Sequence, residues 1–390
     1  MKVVIAPDKF KGSLTAPEVA AAVERGLRAV APDIQVTNVP VADGGEGTLQ
    51  AAVGAGYTRH LATVAGPTGM PLEAAIAVKG QQAVIEMAAA SGLDVLPGGR
   101  LQALTATSRG TGELISAALD LGCTSIILGV GGSACTDGGA GLLQGLGAIL
   151  KDDGGRFLPR GGAALARLAE VDLSGLNPRL AGVSFVLASD VDNPLLGENG
   201  AAAVFGPQKG ASPEDVTTLD AALAQFVRVL GPELGAGTAA MAHVPGSGAA
   251  GGVGFAALAV LEAQRRRGID VVIELTGLRD KLAGAGLVIT GEGSLDTQSL
   301  EGKTPIGVAT EAAAAGVPVF AVCGRTLLSD TQLESAGLAQ TFALTDLESD
   351  VSVCMAEAGR LLESIGAEIG LRLLAGDIAG GRKLEAQRGA

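Results

Sequence analysis

The sequence predicts an α/β fold with two different α/β domains, one of them a discontinuous, Rossmann- or flavodoxin-like parallel sheet. Three observations carry this. Short apolar runs alternate with helix-periodic stretches near both ends of the chain, a βαβ rhythm. The middle holds strand-like runs joined by Gly/Pro turns, a different build. The chain has 390 residues, more than one small core covers.

The first apolar run, 3–6, stops at Pro7-Asp8 and reads as a buried parallel strand. Thr15, Pro17 and Glu18 form a T-x-x-E capping box with Pro in the first turn, and Val19, Val23, Leu27 and Val30 follow at helical spacing. A second strand over 34–39 ends in the polar loop 42–47. Beyond residue 58, strands are expected at 61–64, 74–78 and 83–87, a helix at 113–121 and a β-branched strand at 125–130. A glycine-rich loop and a helix reaching Leu150 follow, then a turn-rich excursion over 151–162. A strand over 184–188 runs into Ser189-Asp190-Val191-Asp192-Asn193-Pro194, and Ser212-Pro213-Glu214-Asp215 caps the next helix. The simple rhythm returns with a strand at 287–290, a loop GEGSLD, a helix opened by Thr304 as N-cap and Pro305 as N1, and a strand at 317–322. The shared style of the two ends assigns 1–58 plus 281–390 to the discontinuous domain and 59–280 to an inserted one. The polar tail after about 376 is expected to fray.

Composition narrows the function. Hydrophobic content is 47% and charged content 18%, as in a folded enzyme rather than a disordered chain. Lys+Arg are 28 and Asp+Glu 41, so the net charge is 28 − 41 = −13. That disfavours nucleic acid as a partner. Apolar runs are too short and too interrupted for a membrane span, and MKVVIAPDKFKG lacks the apolar core of a signal peptide. A cytoplasmic protein with four reduced, buried cysteines is expected. With only His60 and His243, histidine-based triads and zinc sites are disfavoured.

Polar residues gather where the predicted strands end, and in open α/β sheets that is where ligands bind. Asp8, Lys9 and Lys11 follow the first strand, Asp43 and Glu46 the second, and Ser133 and Asp137 the SIILGV strand. Asp190 and Asp192 follow SFVLA, and Glu292 and Asp296 follow LVIT. Each alone fits helix capping, but five such ends together point to a site. The loop Gly131-Gly132-Ser133-Ala134-Cys135-Thr136-Asp137-Gly138-Gly139 suits phosphate, since glycines bring backbone N–H groups close to an anion. It lacks the G-K-[ST] of a Walker A loop. A second loop over 245–252 contains G-x-G-x-x-G with no clear preceding strand. The segment 190–193 reads as an Mg²⁺ or proton-acceptor site, or as an Asx-type turn before Pro194. Lys209 and Lys303 sit beside helix starts, where either neutralises a carboxylate or phosphate or is simply solvated.

These motifs resemble the bacterial glycerate kinase family. The strings that carry the resemblance are IAPDKFKGSL, VADGGEGT, IEMAAASGL, TSRGTGELI, GVGGSACTDGGAG, SDVDNPL, AVFGPQKGAS, PGSGAAGG and ITGEGSLDTQSLEGKTP. They run in family order over about residues 1–325. One loop departs: many family members read S-A-T-N-D-G-G where this chain has Ser133-Ala134-Cys135-Thr136-Asp137-Gly138-Gly139. The resemblance implies ATP- and Mg²⁺-dependent phosphorylation of D-glycerate, at the 2-hydroxyl, on two different α/β domains with the active site in the cleft between them. A 3-kinase, or a kinase of another small hydroxy acid, is the alternative. A nicotinamide-dependent oxidoreductase and a non-catalytic two-lobed binding protein are remoter ones. A homodimer is a further possibility.

The strand-end argument then distributes roles. Asp190, Asp43 and Lys9 are the catalytic candidates. Gly131, Gly132, Ser133, Asp137, Gly138, Gly139 and Gly248 are candidates for phosphate and nucleotide. Asp8, Glu46, Lys209 and Lys303 are candidates for substrate, and Asp192, Glu292 and Asp296 for metal.

Overall fold

The computed structural model describes residues 1–377 other than Ala236 and Glu301; the rest of the tail expected to fray lies outside the described residues. In chain order the elements begin with β1 (Lys2–Pro7), α1 (Ala16–Val30), β2 (Gln35–Asn38), α2 (Thr48–Gly54), β3 (Thr58–Ala65), β4 (Pro71–Lys79) and β5 (Gln82–Glu86). Next come α3 (Ala88–Ser91), α4 (Arg109–Asp120), β6 (Ser125–Gly129), α5 (Ala140–Gly145), β7 (Ile149–Asp152), β8 (Leu168–Asp172) and β9 (Ser184–Ala188). Then follow α6 (Ala201–Phe205), α7 (Pro213–Leu234), α8 (Thr238–Met241), α9 (Ala249–Ala259), β10 (Gln264–Arg266), α10 (Gly268–Thr276) and α11 (Leu278–Leu282). The chain returns through β11 (Ala285–Leu295), α12 (Thr297–Leu300), α13 (Thr304–Ala314), β12 (Val319–Thr326), α14 (Asp330–Ser335), β13 (Gln340–Ala343), α15 (Val351–Ala356) and α16 (Ala358–Leu374).

Two compact units result. Unit 1 is Met1–Ala42 with the chain from Val272 onward, and unit 2 is Asp43–Val271. The division thus falls after 42 and 271 rather than after 58 and 280. α2 is the reason at the first boundary. It belongs with the second sheet, where Leu49 N–H donates to Glu86 Oε1 at 2.6 Å.

Unit 1 holds a five-stranded sheet ordered β13-β12-β11-β1-β2, with every pairing parallel. Val3, Val4, Ile5 and Ala6 of β1 are fully buried, as a strand covered on both faces requires. The predicted capping box of α1 is present, with Thr15 N–H donating to Glu18 Oε2 at 2.8 Å. Val19, Val23 and Leu27 of α1 share a core with Leu361, Leu362, Ile365 and Ile369 of α16. Each fully buried aliphatic side chain contributes roughly 1.5–3 kcal/mol. The chain runs outward from β1 to β2, then returns on the other side of β1 to lay down β11, β12 and β13. The β1/β11 boundary is therefore a topological switch point, where ligands gather at strand C-termini.

The structure corrects the sequence at three places here and in unit 2. GEGSLD is not a loop: β11 continues to Leu295, pairing Glu292 with Cys323 and Ser294 with Arg325. β12 supplies the partner backbone, and a Cβ at Gly291 would lie 2.1 Å from Val322 O, so glycine admits the close pairing. Lys303, not Thr304, is the N-cap of α13. The helix expected to reach Leu150 ends at Gly145; Gly147 takes φ +111° and the chain turns into β7, which pairs antiparallel with β8.

Unit 2 holds a six-stranded sheet ordered β10-β9-β6-β5-β4-β3. β5, β6, β9 and β10 run parallel, and β3-β4-β5 form an antiparallel meander. Its core runs from Ile85 and Leu128 through Leu142 to Phe226 and Phe255. All four cysteines are free and buried. Among the described residues no helix is long and apolar enough to cross a membrane.

Candidate active site

In unit 2, three loops meet beyond the C-terminal ends of β6, β9 and β10, and glycines let them touch. A Cβ at Gly129 would lie 2.4 Å from Gly44 O, and one at Gly131 would lie 2.7 Å from Gly45 Cα. A Cβ at Gly268 would lie 1.8 Å from Asp43 O. No side chain fits between these backbones, so VADGGEGT, GVGGSA and the turn before α10 lock together through bare main chain.

This contact sets Asp43 beside Asp190. Asp190 Oδ1 accepts from Gly268 N–H at 2.9 Å, and Asp43 Oδ1 accepts from Gly45 N–H at 3.2 Å. Packed atoms strip water from the Asp190 carboxylate, the main cause of a pKa pushed up to about 6; the Gly268 N–H opposes this, and the Asp43 charge adds to it. The residue still keeps a solvent-exposed side. Gly131 and Gly132 line the accessible part of the loop, whereas Ser133 is buried. Glu46 is exposed and follows Gly45, the residue that meets Gly131.

The rest of the glycine loop is built around buried Asp137. Its carboxylate accepts from Ser108 N–H at 2.8 Å, from the Ser108 hydroxyl at 2.9 Å, and from Gly139 and Gly141 N–H at 3.2 and 3.3 Å. An oxygen so fully used, 1% exposed, organises the loop rather than greeting a phosphate. Gly138 and Gly139 are likewise buried, with φ +66° and +80°. Gly248 donates its N–H to Asn193 O at 2.9 Å, so the second glycine loop packs on SDVDNPL. Lys209 is 1% exposed and donates to Cys135 O at 2.5 Å, which places its ammonium in the interior. Asp192 is exposed and pairs with Arg265 at 2.6 Å.

Unit 1 carries its own cluster at the β1/β11 switch point. Asp8 is buried, its Oδ1 accepting from Lys9 N–H at 2.7 Å and its Oδ2 from the Thr304 hydroxyl at 2.7 Å. Glu292 is partly buried and its Oε1 is buried without a hydrogen-bond partner. Desolvation pushes its pKa up to about 7; the Ser299 hydroxyl opposes that, Asp8 adds to it, and Lys303 lowers it again. Asp296 Oδ1 accepts from Gln298 and Ser299 N–H, capping α12. Lys303 Nζ donates to Gln298 Oε1 at 3.1 Å. Among the described residues, no group of three or more His, Cys, Asp or Glu is disposed to hold a metal ion unaided.

The predicted residues thus fall into three sets. Asp43, Asp190, Gly131 and Gly132 form the unit 2 cluster, with Glu46 at its margin. Asp8, Lys9, Glu292, Asp296 and Lys303 form the unit 1 cluster. Ser133, Asp137, Gly138, Gly139, Gly248 and Lys209 lie in the buried support beneath the loop, and Asp192, exposed and paired with Arg265, stands apart from all three. Three partners escaped the sequence: Gly268 on Asp190, Thr304 on Asp8 and Ser108 on Asp137. Thr304 and Ser108 stand inside quoted motifs, but nothing in RRRGID signalled Gly268.

Comparison with known proteins places nearly the whole chain in one family. The profile of the glycerate kinase family matches residues 3–374. A protein of Bacillus subtilis (strain 168) named glycerate kinase is 46% identical over 347 residues, 88% of this chain and 90% of its own. One of Escherichia coli (strain K12) named glycerate 2-kinase is 49% identical over 328 residues, 83% of this chain and 85% of its own. A crystal structure from Salmonella typhimurium LT2, provisionally described as glycerate kinase 2, superposes with a TM-score of 0.82 at 43% identity. It covers 96% of this chain and 99% of that one.

Proposed function

Because the chain belongs to the glycerate kinase family, and is therefore a kinase, we propose that it transfers the γ-phosphoryl group of ATP to the 2-hydroxyl of D-glycerate. The observation that supports this best is the Asp190 carboxylate, shifted to about 6, beside Asp43 and a bare-backbone glycine loop. A base of that pKa is mostly ionised at pH 7 yet basic enough to take a hydroxyl proton. As the alcohol oxygen bonds to phosphorus, its proton passes to an Asp190 carboxylate oxygen and the bond to ADP breaks. The Gly268 N–H holds the other side of that carboxylate in place. The glycines at 131 and 132 let phosphate oxygens approach main-chain N–H groups, which stabilise the charge spread over the transferring group.

Kinase chemistry of this kind uses Mg²⁺, and the carboxylates fit it. Mg²⁺ takes one or two protein carboxylates and completes its shell with phosphate and water. The partnerless Oε1 of Glu292 and the second oxygen of Asp296 are such hard donors, and these residues would hold the ion. When bound, it would neutralise charge on the nucleotide phosphates.

Phosphorus NMR of the product formed from D-glycerate, ATP and Mg²⁺ tests the assignment. A phosphate on the 2-oxygen couples to one carbon-bound proton and gives a doublet; on the 3-oxygen it couples to two and gives a triplet. A triplet overturns the 2-hydroxyl assignment, and absence of ADP formation overturns the reaction.

A further inference from the structure

A buried lysine is costly unless something in the interior needs its charge. Lys209 is among the largest fully buried side chains of the described residues, and no step of the proposed reaction uses it. It closes the short 3₁₀ turn Pro207–Lys209, and Gly210 follows at φ +93°. Its ammonium donates to the carbonyl of Cys135, in the middle of the glycine loop. The carbonyl is crowded from a second side: a Cβ at Gly251 would lie 2.1 Å from the same oxygen. Gly138 N–H donates to Gly251 O at 2.9 Å, so the 245–252 loop grips the glycine loop just beyond that point. Ala250 beside it takes φ +55°, a strained value for alanine, held because this packing requires it. The Asp137 carboxylate supplies a compensating negative charge to Lys209, and it ties down Gly139, Gly141 and Ser108.

Three otherwise unexplained segments, PQKG, PGSGAAGG and TSRG, therefore converge on one loop from its buried side. We infer that Lys209 is a positioning residue that acts through the Cys135 carbonyl to hold the 131–141 loop in its phosphate-receiving shape. The peptide unit is planar, so fixing the Cys135 oxygen fixes the orientation of the 135–136 amide with it. The loop's accessible end has little room to drift, because Gly131 already touches Gly45. Without the ammonium, the buried carbonyl loses its donor and the loop gains alternatives that the substrates must then pay to remove.

The kinetic part of this rests on the phosphoryl-transfer reading, so the test has an arm independent of turnover. Lys209→Met keeps length and removes charge. Amide hydrogen exchange over 129–142 is expected to quicken at least tenfold in the variant, with β3–β4 unchanged. On glycerate and ATP, kcat/KM for ATP is expected to fall at least tenfold, more than kcat/KM for glycerate. In Lys209→Ala, propylammonium, which replaces the missing atoms, is expected to restore part of both losses, whereas propanol does not. Unchanged exchange in a Lys209→Met variant that melts like the parent overturns the inference. So does failure of both variants to fold with or without propylammonium, which would make Lys209 a folding residue instead. Quickened exchange in the variant, with a parent enzyme that itself lacks glycerate turnover, would retain the loop role and reject the reaction.

Discussion

Asp190→Asn separates catalysis from stability at one atom. Asparagine keeps the shape and can still accept the Gly268 N–H, but it cannot take a proton. The loss expected for a missing general base is about 10²–10⁴ in kcat. In the parent, an acceptor titrating at about 6 is ionised to about one tenth at pH 5 and about nine tenths at pH 7, so activity should fall along that limb. The stability effect has the opposite sign. A carboxyl raised from 3.8 to about 6 contributes stability that is complete below its unfolded value and is lost as pH rises through about 6. Full conversion of the shift gives about 3 kcal/mol. Asp190 keeps a solvent-exposed side, and screening reduces this to on the order of 1 kcal/mol. The variant should therefore be slightly more stable than the parent at pH 8 and gain nothing at pH 4. Steady-state rates from pH 5 to 8, with urea melts at both extremes, check this. A kcat within tenfold of the parent, or an acid limb flat down to pH 5, refutes the base assignment.

Three further outcomes follow from the same geometry. Glu292→Gln should stabilise unit 1 by about 3 kcal/mol at pH 8.5 and by almost nothing at pH 4, since a carboxyl raised from 4.5 to about 7 loses its contribution across that window; a pH-independent difference in urea melts would contradict this. Asp137→Asn puts an NH₂ group among donors that need an acceptor, and should cost roughly 2–4 kcal/mol, read as a lower denaturation midpoint with Ser108→Ala costing less. Gly131→Ala pushes a methyl against Gly45 Cα at 2.7 Å and should cut kcat/KM for ATP at least tenfold while far-ultraviolet circular dichroism is unchanged; retention of activity would show that the loop contact does not matter.

Local signals were legible wherever the physics is local. Thr15 and Glu18 announce the start of α1 because both halves of a capping box lie within four residues. The strand ends at Asp8, Asp43 and Asp190 could be marked because apolar runs stop there. The GEGSLD segment reads as loop for the opposite reason. Its glycines look like loop, and only the partner strand β12, some 30 residues on, makes them strand. Leu146 and Leu150 continue an apolar pattern past Gly147, whose left-handed backbone ends the helix regardless.

The sequence alone determined the α/β class, the order of the elements, the family through its long motifs, and which carboxylates stand at strand ends. Tertiary structure alone decided what those residues face. Gly268 reaches Asp190 from 78 positions away, and Lys209 reaches Cys135 from 74. Thr304 reaches Asp8 across 296. A lysine's composition does not reveal whether water or a peptide carbonyl receives its charge. That depends on which backbones can come within touching distance, and here bare glycines at 44, 129, 131 and 268 allow it.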